Sequence, residues 1–341
     1  MTLRAAVVGL GAVGTRAARQ LAAAGAAVTL VHPSAPRLAF VRHEVGAPTD
    51  AVVGGIDDLP DGLDVVVLCH PGDHRGAAER AVEREVAVVS VADDPAVVRR
   101  LLDVHDEAAA RGVTVVVGAA MAPGLGCLLA RWAADRLAAV TEVHVASVGT
   151  GGPACARRHH RALTEPALDH IDGAWVQRPG SSGRELVWFP EPLGGADCYR
   201  GGLADPLVLV PAFPGVRRVT ARVAATRRDR LTSWLPMLRP PHPEGLVGGV
   251  RVEVRGFRPP ARPGGPPVAD AVVVGASAPP AIAAGAVAAT AAIAAGSHRL
   301  PAGAAGLAVL ADDPGPWLAD LGRRGVPAWL FEGADARRLG T

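Results

Sequence analysis

Three segments of the chain carry groups that can do chemistry, and each is tied to a glycine turn. The first is Gly9-Leu10-Gly11-Ala12-Val13-Gly14. Its G-x-G-x-x-G spacing suits a dinucleotide pyrophosphate. Gly9 permits a tight turn, Gly11 lets the backbone approach the phosphates, and Gly14 lets helix and strand pack closely. Ala12 and Val13 then open a helix whose amino end offers unpaired N–H groups and a positive dipole end. The second is Gly149-Thr150-Gly151-Gly152-Pro153, which leads into Cys155, Arg157, Arg158, His159, His160 and Arg161. A histidine titrating near neutrality can exchange a proton with an amine or alcohol, and an arginine can hold a carboxylate through two parallel bonds. If the segment is helical, Arg157 shares a face with His160 or Arg161, and Cys155 shares one with His159. A solvated polar helix face accounts for the same residues equally well. Cys155 and His159 also have the spacing of two metal ligands, but the sequence offers no evident third, and no metal is expected. The third segment is Gly194-Gly195-Ala196-Asp197-Cys198-Tyr199-Arg200, where the single tyrosine stands between an acid and an arginine. Tyr199 can donate to a carbonyl or imine and Arg200 can bind a carboxylate. Alternatively, Tyr199 is a strand residue with its hydroxyl on the backbone.

The chain contains no lysine, so all 35 of its Lys-plus-Arg side chains are arginine. Proton transfer therefore falls to His, Asp, Glu, Cys or Tyr199. The net charge of +2 is spread along the chain, which argues against a nucleic-acid partner. The longest uncharged apolar stretch, 271–296, is rich in Ala and Gly and broken by Pro279-Pro280, so no membrane association is expected. The apolar start is interrupted by Arg4, which reads against a targeting signal. Four scattered cysteines without a C-x-x-C motif read as reduced thiols in a cytoplasmic protein.

At 341 residues, 49% hydrophobic, the chain has material for about two domains and a large core. The glycine fingerprint is flanked by an apolar strand over 3–8, a helix over 12–24 closed by Gly25, and a strand over 27–31. Alternation continues with strands at 64–68, 86–91 and 113–117 and helices at 73–85 and 95–111. Asp93 or Asp94 would cap the second of these helices. Valine-rich strands separated by helices predict a parallel sheet covered on both faces. A long helix follows from Pro123 to about Ala139. Beyond Glu142 the pattern changes to strands of alternating polarity at 142–148, 174–177, 186–189, 207–210, 216–225 and 250–254. A Pro- and Gly-rich loop is expected over 256–268. After it come a strand at 269–274, an Ala-rich helix at 281–295, and a final helix and strand at 317–324 and 328–331. The predicted fold is α/β in three parts. Residues 1–138 form a Rossmann doubly wound parallel sheet. Residues 139–275 form a second, α+β domain with a mixed, largely antiparallel sheet. Residues 276–341 return to the Rossmann side.

An acid usually ends the second strand of an NAD site and binds the ribose hydroxyls. Here His32, Ser34 and Arg37 follow that strand, a set suited to a 2′-phosphate, so NADP(H) is expected over NAD(H). A merely solvated Arg37 is the alternative. Cys69-His70-Pro71 follows another strand at its carboxyl end, where the nicotinamide half should lie. His70 would touch nicotinamide or substrate, or else cap the next helix.

The order of these pieces resembles the saccharopine dehydrogenase-like reductases. The GLGAVG turn carries part of the resemblance. So does Gly118-Ala119-Ala120-Met121-Ala122-Pro123-Gly124-Leu125, which is similar to that family's G-x-x-P-G-type turn after the last Rossmann strand. The rest lies in VRVEVRG at 250–256, the strand over 269–275 and the small-residue helix 281–295. Residues 150–245 align only loosely. The resemblance implies a homodimer, paired through the 139–275 substrate and dimerisation domain, that moves hydride between a nicotinamide cofactor and a C–N or C–O bond of a small carboxylated, amino-acid-like substrate. His160, His159 and Tyr199 are the candidates for the proton, and Arg157, Arg200 and Met121 for the substrate. Gly9, Gly11, Ala12, Val13, Gly14, His32, Ser34, Arg37, Cys69, His70 and Pro71 are the candidates for the cofactor. Two other readings compete: a non-catalytic Rossmann redox sensor or assembly protein, and an enzyme acting on a non-amino-acid ketone.

Overall fold

A computed structural model describes residues 2–46, 49–237, 245–260, 262, 265–333 and 335–339. The expected 256–268 loop lies partly outside these residues, and its beginning and end are the tips of two long paired strands. Among the described residues the first sheet has seven strands, all parallel. In chain order β1 (Arg4–Val8), β2 (Ala27–His32), β3 (Thr49–Val53), β4 (Val65–Leu68), β5 (Ala87–Ser90) and β6 (Thr114–Val117) are arranged 6-5-4-1-2-3. The valine runs of β4, β5 and β6 are buried throughout, as a sheet covered on both faces requires. Strand order reverses between β1 and β4, which opens a crevice at their carboxyl ends.

Helices α1 (Ala12–Ala23), α2 (Ala35–Val45), α3 (Arg75–Glu83), α4 (Pro95–Leu102) and α5 (His105–Ala110) connect these strands. Asp94, not Asp93, caps α4 by accepting from the Ala96 amide at 2.9 Å. The helix expected over 95–111 is two helices with a break after Leu102. Neither α2 nor β3 stood out in the sequence, where Pro33, Pro36 and the charges of 37–50 obscure any regular apolar period.

α6 (Leu125–Ala134) is shorter than the sequence suggests, and Ala139 already opens β7 (Ala139–Val148), the centre of the second sheet. α7 (Pro153–Ala162) follows the Gly149–Gly152 turn. β8 (Ala167–Ile171), β9 (Ala174–Arg178), β10 (Glu185–Phe189), β11 (Gly194–Tyr199) and β12 (Arg218–Ala224) build one side of this sheet. β13 (Gly248–Arg258) and β14 (Val268–Ala278) extend the other, and every pairing is antiparallel except β7 with β12. The expected strand at 207–210 is instead α8 (Asp205–Leu209) running into a 3-10 turn. Pro206 sits at its first turn, and Asp205–Leu209 are all buried, so periodicity could not tell strand from helix there. A short helix, α9 (Arg227–Thr232), follows β12.

The carboxyl-terminal part is divided between the two sheets. α10 (Pro280–Gly296) is apolar on all sides and packs against α1, β4 and β5. A Cβ at its Gly285 would stand 2.6 Å from Arg16 Cβ, so α1 and α10 meet at a glycine contact. β15 (Gly303–Ala305) adds to β6 as the edge of the Rossmann sheet. After α11 (Leu307–Leu310) and α12 (Pro314–Arg323), the chain crosses to the second sheet. There β16 (Ala328–Glu332) pairs with β14, and β17 (Asp335–Arg338) pairs with β16. The final strand was expected on the Rossmann side. With β15 already filling that edge, β16 takes the open edge of β14 instead.

Candidate active site

The fingerprint turn has the packing its glycines predict. Gly9 has φ +91°, and a Cβ there would lie 2.6 Å from the His70 amide nitrogen. A Cβ on Gly14 would stand 1.9 Å from the Gly9 carbonyl oxygen. A side chain at Gly9 would displace the His70 loop, and one at Gly14 would push α1 off the turn. At Gly11 nothing lies within 4 Å of the Cβ position, so the backbone is open to a ligand there.

This turn forms one end of a cleft of about 1270 Å³. Gly9, Gly11, Ala12, Val13 and His32 line it, as do Cys69, His70 and Pro71 from the loop after β4. Gly14, Ser34 and Arg37 stand outside the lining. Gly14 packs α1 onto the turn, and the Ser34 hydroxyl caps α2 by accepting from the Arg37 amide. Arg37 donates through Nε to the Leu10 carbonyl at 2.8 Å and through Nη2 to Thr15 Oγ1 at 3.3 Å. Its guanidinium thus braces the glycine turn from α2.

The 70–74 loop is held from beneath by a residue the sequence reading passed over. His74 is buried, donates through Nε2 to the His70 carbonyl at 2.8 Å, and accepts from Ser90 Oγ at Nδ1, 2.7 Å. A carbonyl can only accept, so these partners fix the tautomer. Burial, helped by His70, lowers its pKa to about 4. His74 is therefore a neutral strut at pH 7. Burial pushes the Cys69 thiol up to about 12, which leaves it protonated and unreactive.

The other end of the cleft is made by α7, the Ser147–Gly152 turn and the Ala120-Met121-Ala122 segment. Cys155, Arg157, Arg158, His159 and Arg161 all line it. His159 Nε2 lies 3.7 Å from Cys155 Sγ and 3.9 Å from Asp93 Oδ2. Burial opposes charge on this imidazole, but the Cys155 sulfur and the Asp93 carboxylate outweigh it and push the pKa up to about 9. Burial likewise raises the Asp93 carboxyl, with His159 and Arg158 pulling the other way. Arg158 is fixed by Glu165 at 2.8 Å, Asp94 at 3.3 Å and the Gly202 carbonyl. Arg157 is exposed on the cleft side.

The remaining candidates stand elsewhere. His160 Nε2 donates to the Leu235 carbonyl at 3.0 Å and is not among the cleft residues. Tyr199 is buried on β11 beneath the Arg230 guanidinium, 4.1 Å away. Arg200 Nε pairs with the buried Asp169 at 2.8 Å. The structure therefore joins Gly9–Val13, His70, Met121, Arg157 and His159 in one cleft and leaves His160, Tyr199 and Arg200 outside it. Asp93 and His74 are the residues that sequence reasoning missed. Asp93 looked like a helix cap because its neighbour is one, and only the fold carries it to His159.

Residues 2–120 match a family model described as "Putative NAD(P)-binding". No curated protein matches the sequence. Among solved structures, the apo saccharopine dehydrogenase (L-Glu forming) of Saccharomyces cerevisiae superposes with TM-score 0.68 at 14% identity, covering 97% of this chain and 100% of that one. The WlbA dehydrogenase of Bordetella pertussis, in complex with NADH and UDP-GlcNAcA, matches at TM-score 0.39 and 14% identity, over 82% of this chain and 79% of that one. A myo-inositol dehydrogenase from Corynebacterium glutamicum matches at TM-score 0.39 and 14% identity, over 74% and 72%. The chain has the saccharopine dehydrogenase-like fold, and its residues 2–120 match an NAD(P)-binding model.

Proposed function

We propose that this protein is an NAD(P)-dependent oxidoreductase acting on a C–N or C–O bond of a small carboxylated substrate. The observation that carries the reading is the continuity of the cleft. A single cavity runs from the open Gly11 backbone to Arg157 and the Cys155–His159–Asp93 cluster. The residues fit a dinucleotide: Gly9–Val13 and the amino end of α1 would hold its pyrophosphate, and the His70 loop would flank its nicotinamide half. When bound, the nicotinamide supplies or accepts the hydride. In the reducing direction His159 gives its Nε2 proton to the substrate nitrogen or oxygen, and in the oxidising direction it takes that proton back. Asp93 holds the imidazole at the cleft wall and favours its charged form. Arg157 holds the substrate carboxylate.

The cofactor we propose is NADP(H) in preference to NAD(H), because no acid ends β2 and Arg37 stands beside the turn. We also propose a cytoplasmic homodimer formed through the second sheet. Its outer strand β10 leaves Leu186 and Trp188 exposed, and the mass in solution tests this. Oxidation of NADPH and NADH should be followed with a panel of 2-oxo acids, each with and without an amine. The expected result is turnover that requires the carboxylate and a KM about tenfold higher or more in Arg157→Ala. Turnover of the matching ketones without a carboxylate would overturn the substrate class. Cofactor binding by thermal shift with no turnover on the whole panel would favour the non-catalytic sensor.

A further inference from the structure

Cys155 and His159 lie four residues apart on α7, so their side chains meet over one turn. The sequence shows no third ligand near them, but the fold supplies one. Asp93, from the loop after β5, reaches the same point. His159 Nε2 is 3.7 Å from Cys155 Sγ and 3.9 Å from Asp93 Oδ2, and the three donor atoms all lie within 4.8 Å of one another. Ligand atoms bound tetrahedrally to zinc at about 2.0–2.3 Å stand roughly 3.3–3.7 Å apart, so small side-chain movements would close the set around an ion. A thiolate and an imidazole select zinc over magnesium or calcium, and three protein ligands leave a fourth position free, here facing the cleft. Behind the cluster, Asp205 walls a small cavity together with Asp93 and His159. Its Oδ1 is buried and has no hydrogen-bond partner among the described residues. Metal-bound histidines commonly give their second N–H to such a carboxylate.

We infer that Asp93, Cys155 and His159 form a Zn²⁺ site in the wall of the cleft, and that filling it switches off the proton transfer. The switching half rests on the oxidoreductase reading above, whereas the binding half does not. Coordination takes the Nε2 lone pair that the proton would occupy. The Cys155 thiol proton and any proton on Nε2 pass to water as the metal binds. The carboxylate and the thiolate together balance the charge of the ion.

The test uses the full chain, stripped with a chelator and titrated with Co²⁺ and then Zn²⁺. The expected result is one equivalent of Co²⁺ with a sulfur-to-cobalt charge-transfer band, bleached by Zn²⁺. The band should be lost in Cys155→Ser and kept in Cys69→Ser, whose thiol also lines the cleft. Asp93→Asn and His159→Gln should weaken Zn²⁺ binding at least tenfold. Zn²⁺ should stop turnover of the wild type over the range in which it bleaches the band, and it should leave the residual rate of Cys155→Ser within twofold. No charge-transfer band in the wild type would overturn the site. A normal band with turnover unchanged or raised by Zn²⁺ would overturn the switch alone. A normal band in a protein that turns over nothing when metal-free would uphold the site while the oxidoreductase reading fails.

Discussion

Helix α7 and strand β11 with the Arg200 that follows it each set an arginine and a proton-carrying side chain beside a glycine turn, yet the fold uses them differently. On α7 the cations divide their work. Arg158 is consumed by Glu165, Asp94 and the Gly202 carbonyl, which locks the helix in place, while Arg157 remains on the cleft side. At the end of β11 the charged groups are taken up by one another. Arg200 neutralises Asp169, whose side chain is 1% exposed, and Tyr199 is covered by Arg230. The difference comes from position in the sheet. α7 leaves the carboxyl end of the central strand β7, next to the Rossmann crevice, whereas Tyr199, level with Ser147 through Val223, lies two strands aside from β7 and outside the cleft lining. On the proposed function, an arginine beside a glycine turn meets the substrate only where topology brings it to the crevice.

The largest effect that would sharpen this contrast is at the paired histidines. Replacing His159 with Gln should lower kcat by about 10²- to 10⁴-fold, the usual contribution of a general acid or base. His160→Gln should leave kcat within a few-fold, because that ring donates to the Leu235 carbonyl and stands outside the cleft lining. If His160→Gln were instead the slower variant, the assignment of α7's faces would be reversed.

On β11 the expectation is the opposite: loss of stability without a selective loss of rate. Arg200→Met strands the Asp169 carboxylate, whose Oδ1 already lacks a hydrogen-bond partner among the described residues. Stranding a buried carboxylate whose partner is partly exposed costs up to about 3 kcal/mol, the lower end for a fully buried pair. Denaturant unfolding should show that loss, while kcat/KM per folded molecule stays near the wild-type value. A variant with full stability and a raised KM would mean that Arg200 serves the substrate after all.

A smaller effect concerns pH. Burial raises the Asp205 carboxyl to about 7, with its own backbone amide opposing and Asp93 adding to the rise. A folded-state pKa raised above the unfolded one means the native state binds the extra proton. Stability from this group is full below the ordinary carboxyl value of 3.8 and is lost as pH rises through about 7. Asp205→Asn removes that titration. Its stability relative to wild type should therefore rise between about pH 4 and pH 7 and then level off, as read by thermal unfolding across that range. A flat difference would show that Asp205 is charged throughout.

What the sequence made legible follows the reach of its signals. The glycine fingerprint, the valine strands and the Ala-rich α10 are local patterns set by local packing, and they appear within a few residues of their expected ends. The Cys155–His159 pair was visible as an i, i+4 spacing for the same reason. Asp93 was not, because its role depends on the loop after β5 meeting α7 across the crevice, a contact with no trace in either segment. α8 was misread because five buried residues in a row carry no period. Tyr199 and Arg200 looked catalytic because residue type alone does not reveal a partner such as Asp169, thirty-one residues away along the chain.

The finest distinction lies at the nucleotide end of the cleft, where Arg37 resembles both arginine classes. Its Nε and Nη2 brace the Leu10 carbonyl and Thr15, a structural use, whereas the proposed NADP(H) preference gives it a contact to the 2′-phosphate. The two uses predict different outcomes for Arg37→Ala. Loss of a charge-assisted contact to phosphate should weaken NADPH by about tenfold or somewhat more and leave NADH unchanged. Loss of the brace alone should weaken both cofactors equally by loosening the turn that Gly9 and Gly14 hold. Thermal-shift titrations of wild type and variant with NADPH and NADH separate these, since a ligand bound only by the folded state raises the melting temperature by mass action. The expected result is a selective loss for NADPH. An equal loss would place Arg37 with Arg158 and Arg200 among the arginines whose work is structural.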